Sequence, residues 1–157
     1  MSHSSNRDHV IVFGRLKYPY VKAKRVQVLG ALRAVLVVAD EEIVVLGSGR
    51  VNVLASNNCI LLSGKRPLIV ERAHCVNILV LGGRAPVVLK YVRARSIYAR
   101  RAIMGEVEVE KAVLAELCSI ETLSKASRIV FVDPHLYFEN LGYLGEVMYT
   151  YKLPDRD

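Results

Sequence analysis

Val26-Gln27-Val28-Leu29-Gly30 and, seventeen residues on, Ile43-Val44-Val45-Leu46-Gly47 are the same phrase written twice. Each is a short β-branched and leucine-rich run closed by a glycine. The phrase occurs once before, as Val10-Ile11-Val12-Phe13-Gly14, and twice after, as Ile60-Leu61-Leu62-Ser63-Gly64 and Ile78-Leu79-Val80-Leu81-Gly82. The five glycines stand 16, 17, 17 and 18 residues apart. Self-similarity at a short, nearly constant period is the signature of a repeat architecture.

A second apolar run follows Gly30, Gly47, Gly64 and Gly82: Val35-Leu36-Val37, Val51-Asn52-Val53, Leu68-Ile69-Val70 and Val87-Val88-Leu89. A small residue comes next, at Ala23, Ala39, Ala55 and Ala73. One unit therefore reads strand, glycine corner, strand, small-residue corner. That is too short for a helix pair or a propeller blade, and too short for a crossover helix between parallel strands. It fits one coil of a β-solenoid, each strand pairing with its counterpart one coil on. A β-sandwich also repeats strands at short intervals, but it gives no reason for five glycines in register with five runs.

The expectation is an all-β, single-stranded β-solenoid, the right-handed form favoured, with about seven coils of roughly 17 residues and a C-terminal capping segment. Residues 1–9 are polar and read as a tail, 10–132 as the solenoid, and 133–157 as an aromatic cap or interaction segment. Tyr18-Pro19-Tyr20 interrupts the first coil, because proline has no N–H for a ladder. Beyond Gly82 the glycine beat fades while period-two alternation persists to about Val132. A helix across residues 112–123 is the local alternative, since that stretch holds good helix formers.

The chain of 157 residues is 52% hydrophobic and 24% charged. No run approaches the length of a membrane span, no apolar signal segment opens the chain, and Cys59, Cys75 and Cys118 show no disulfide-framework spacing. These features suggest a cytoplasmic protein with free, packing cysteines, Cys59 at an outward position. The net charge of +7 is unevenly placed: residues 1–105 carry +12 and residues 106–157 carry −5. In a solenoid, position along the chain maps onto position along the axis, so one end is basic and the other acidic.

Three features bear on function. If Ile43, Val45, Ile60, Leu62, Ile78 and Val80 point inward, then Ile11, Val44, Leu61 and Leu79 form an outward apolar stripe, interrupted by Gln27. Exposed stripes of this kind mark interaction sites, and with Tyr149 and Tyr151 of the aromatic segment they are candidates for self-association. Secondly, Arg15, Lys17, Arg33, Arg50, Lys65, Arg66 and Arg84 each follow a repeat glycine by one to three residues. Stacked coils would align them as a basic ladder able to take an anion: nucleic acid, an anionic membrane surface or an acidic protein. Thirdly, Glu106, Glu108 and Glu110 alternate outward on one strand, to pair across a subunit junction or to blunt an edge. The four histidines lack metal-ligand spacing, and no nucleophile, phosphate-loop or zinc-protease motif is present. The sequence thus suggests no catalytic residue, cofactor, metal or small-molecule substrate.

The coil length, the Val/Ile-rich strands and the small-residue corners over residues 26–132 resemble the bactofilins, polymer-forming cytoskeletal proteins. The resemblance implies a right-handed β-helix that polymerises end to end without nucleotide, often at a membrane. The expected function is a self-associating, non-enzymatic scaffold, as an oligomer or polymer; the alternative is a module that docks an anionic partner on the basic ladder.

Overall fold

A computed structural model describes residues 7–132 and 137–149. It is a β-solenoid of about eight turns, with no helix among the described residues. Its strands are β1 (Arg7–Lys17), β2 (Tyr20–Leu62), β3 (Leu68–Leu81), β4 (Val87–Arg100), β5 (Ala102–Leu114), β6 (Ser119–Phe131) and β7 (Tyr137–Tyr149). They form one parallel sheet in sequence order, each strand hydrogen-bonded only to its predecessor and successor. The 43-residue β2 winds through more than two coils by itself. Residues 112–123 carry strand and turn, so the helical alternative is set aside. β1 begins at Arg7, inside the expected tail, and Tyr137–Tyr149 of the expected cap adds another strand in register with β6.

One inward column carries Val12, Val28, Val45, Leu61, Val80, Ala99 and Leu114, all buried, with Val12 paired to Val28, Leu61 to Val80, Val80 to Ala99 and Ala99 to Leu114. Val, Ile, Leu and Ala fill the axis, and no polar or charged residue is fully buried among the described residues. Neighbouring coils lie about 4.8 Å apart, so every inward methyl group packs on its counterparts above and below.

The corner shows why glycine recurs. Gly14, Gly30 and Gly47 have φ of 107°, 136° and 151°. A Cβ on Gly30 would lie 1.9 Å from the carbonyl oxygen of Gly14, and one on Gly47 would lie 1.7 Å from that of Gly30. Both the backbone angle and the contact between coils exclude a side chain there.

The fourth coil departs from the sequence expectation by one residue. Leu61 and Cys59 point inward and are buried, while Ile60 and Leu62 face outward and are half-buried. The cause is the corner. Leu62 pairs with Leu81, which places Ser63, not Gly64, level with Gly82. Gly64 instead belongs to a loop of residues 63–67, matched by a second loop at 82–86. Since strand side chains alternate with period two, a slip of one residue exchanges the two faces. Leu61 is therefore a core residue and not part of the outward stripe.

The cysteine expectation is also overturned. Cys59 and Cys75, 16 residues apart, form a disulfide inside the solenoid, whereas the buried Cys118 thiol donates to the Ala99 carbonyl at 3.3 Å. Cys75 pairs in register with Ser56, three residues short of Ile78, the counterpart of Cys59 on the next coil, so the bond ties neighbouring turns together.

Candidate functional site

Two surfaces stand out, on adjacent flanks of the same coils. The first begins with the corner glycines. Two residues past Gly47, Gly49 adopts φ 133° with its Cα packed close over the Leu32 carbonyl, which fixes Arg50 one coil above Arg33. Arg33 in turn pairs with Lys17. Lys17, Arg33 and Arg50 are thus stacked in one exposed column, flanked by buried Leu16, Leu32 and Val51. Arg15 pairs with Ala31 in the next outward column, and Arg66 reaches in from the loop at 63–67.

Together these five cations border a trench of about 510 Å³ whose floor holds Ala31, Ser48 and Gly49. Arg50 is engaged by the Glu71 carboxylate at 2.7 Å. Arg15, Lys17, Arg33 and Arg66 make no ion pair with any described residue. The column ends above Arg50, where Ile69 and then Val88 take the same position. Lys65 and Arg84 are exposed on the loops of the following coils and do not border the trench. Five of the seven expected anion-binding residues are therefore brought together. The other two are carried away by loop residues that lengthen these coils, with 19 residues separating Leu61 from Val80.

Four cations elsewhere are neutralised one coil away. Arg25 meets Glu41 at 2.6 Å, Lys90 shares Glu71 at 3.2 Å, Arg95 faces Glu110 at 3.4 Å, and Arg100 meets Glu116. The hydrogen bond from Arg25 holds the Glu41 carboxyl below its ordinary range, and those from Arg50 and Lys90 do the same for Glu71. The acidic strand joins this pattern. Glu106, Glu108 and Glu110 lie on β5, an interior strand, with Glu108 between Arg93 and Lys125 in register. Glu108 and Glu110 face cations on neighbouring coils of their own chain, Glu106 lies between Tyr91 and Thr122, and none of the three blunts an edge. Beside them the Tyr91 hydroxyl donates to Glu108 at 3.3 Å; burial first, and then the Glu108 charge, raises the phenol above its ordinary range.

The second surface is apolar. Outward from the inner column run two parallel rows. One holds Ile11, Gln27, Val44, Ile60 and Leu79; the other holds Phe13, Leu29, Leu46, Leu62 and Leu81. Phe13 is 79% exposed and Ile11 56%. The first row then continues through Tyr98, and the second ends at Arg100. Ile11, Val44 and Leu79 hold the outward positions that the sequence suggests, while Leu61 is replaced by Ile60. The second row was overlooked, although the same alternation places residues two positions on upon the same face. Tyr149 lies elsewhere, exposed on the terminal strand and against the Phe131 ring at 5.2 Å. Tyr151 lies outside the described residues.

Compared with known proteins, the chain matches no family model, no curated protein and no solved structure.

Proposed function

We propose that this chain is a non-enzymatic structural scaffold that associates with further copies of itself through the outer apolar face. The observation that carries the reading is the pair of rows from Ile11 and Phe13 to Leu79 and Leu81, in which Gln27 is the one polar side chain. Parallel sheets are ordinarily covered on both faces, and here the second face has no cover among the described residues.

A second copy is the occupant that suits it. The face is flat, repeats with the coil spacing and contains no charge until Arg100, so a partner must match it in both shape and apolarity. Another such sheet does so, with strands aligned and about 10 Å between the layers. Pairing side by side leaves both ends of each solenoid free. The outer edges of β1 and β7 have no strand partner among the described residues. The leading part of the chain is basic and the trailing part acidic, so head-to-tail addition is electrostatically favoured. The resemblance to the bactofilins points to the same kind of activity.

Sedimentation across a wide concentration range tests this. Dimers or larger species are expected for the natural sequence, and monomers for Phe13→Glu combined with Leu46→Glu, with unchanged β-sheet circular dichroism. A natural chain that stays monomeric at hundreds of micromolar overturns the proposal.

A further inference from the structure

We infer that the cationic trench holds a single strand of nucleic acid by its phosphates, as a binding activity separate from self-association. The argument starts from a cost. Like charges directly opposite one another on neighbouring strands are destabilising, yet Lys17, Arg33 and Arg50 are stacked on successive coils with Arg15 and Arg66 beside them. Four cations elsewhere in this solenoid, Arg25, Lys90, Arg95 and Arg100, each face a carboxylate one coil away. In the trench only Arg50 has such a partner, so the remaining positive field is open to an external anion.

The form of the trench selects the anion. It runs along the axis from the first coil to the loop of the fourth, about 14 Å at the usual strand spacing. Ala31, Ser48 and Gly49 line it together with Leu32, Pro67 and Ile69, so a slender chain can lie between the cations. On the other side of the Lys17–Arg33–Arg50 ridge lies a second groove of about 570 Å³, lined by Tyr18, Pro19, Ala34, Val35 and Asn52. A strand whose phosphates follow the ridge can therefore lay its bases on an apolar shelf that carries one ring and one amide. Cationic track with adjoining aromatic and apolar surface is the usual arrangement for single-stranded nucleic acid.

The test is fluorescence anisotropy of a labelled oligothymidine with the full-length chain, titrated over salt. About four phosphates neutralised imply a slope of log K against log salt near −3 for a single strand. Lys17→Gln with Arg33→Gln, which relieves repulsion and so keeps the fold, is expected to weaken binding at least ~10-fold in low salt. Lys65→Gln with Arg84→Gln removes the same charge outside the trench and is expected to leave binding within about twofold. Equal losses from both pairs would reduce the effect to net charge and overturn the inference. So would preference for a duplex, binding to vesicles of anionic lipid without binding to the oligonucleotide, or competition by inorganic polyphosphate as effective as that by unlabelled oligonucleotide of equal charge. Repeating the titration with the Phe13→Glu, Leu46→Glu chain keeps this result independent of the oligomeric state.

Discussion

Arg101 and Leu117 occupy left-handed backbone conformations, with φ of 52° and 58°. Arg101 stands where the corner glycines stand in earlier coils: the Gly82 N–H donates to the Arg100 carbonyl, and a Cβ on Gly82 would lie 2.0 Å from the Arg101 carbonyl oxygen. The turn thus continues after the glycine beat has ended, at the steric expense that side chains incur in this region. Two substitutions should act in opposite directions. Leu117→Gly removes a left-handed side chain at an exposed site and is expected to stabilise the fold by about 1 kcal/mol, raising the midpoint of thermal unfolding by roughly 2–4 °C. Gly47→Ala puts a methyl group into the Gly30 carbonyl and is expected to cost upwards of ~3 kcal/mol, read by denaturant unfolding.

At the scale of the element, the alternation within each strand decides which side chains make the core, and the fourth coil provides the sharpest check. Leu61→Ala should cost about 2–5 kcal/mol as a buried truncation, whereas Leu62→Ala, on the outward face, should cost less than about 1 kcal/mol. Chemical denaturation of the two variants compares them directly; reversed magnitudes would restore the register anchored on Gly64. The strand–corner–strand unit was legible from Gly14, Gly30 and Gly47, because the corner angle favours glycine at all three and stacking on the preceding coil requires it at Gly30 and Gly47. Gly64 misled because it looks like its predecessors but serves a loop, while Ser63 holds the corner and is fixed there by the Gly83 N–H at 3.1 Å. The corners at Arg101 and Leu117 left no trace in composition, since any residue can be forced into a strained turn by its neighbours. Of the basic ladder, Arg15, Lys17, Arg33 and Arg50 in the regular coils were readable, whereas of the loop residues only Arg66 reaches the trench and Lys65 and Arg84 do not. Another corner carries an amide ladder that the sequence reading passed over: Asn77 donates to Asn58 at 3.2 Å and Ser96 to Asn77 at 2.6 Å. The spacing of these residues near the coil period was the available signal.

The whole molecule is a stack in which each turn touches only the turn before and the turn after, so stability is set by nearest-neighbour interfaces. Sequence position then becomes distance along an axis. The basic trench occupies the leading turns and the acidic strand a later one, and the apolar face runs beside them. On the proposed reading, such a stack presents one surface to its own copies and another to a polyanion without rearranging either. The two activities are expected to separate cleanly by mutation, because the rows of Phe13 and Ile11 share no residue with the trench.

A stack without long-range ties should come apart from its ends like a spring drawn out turn by turn, and the Cys59–Cys75 bond is the one place where it cannot. Pulled by its termini in an optical trap, the oxidised chain would keep the residues between these cysteines hidden from the load. Adding reductant should release about 5 nm of extra contour, and in bulk should lower stability by about 3 kcal/mol for a loop of this size. An extension unchanged by reductant would mean that the two sulfurs are not joined in the folded protein.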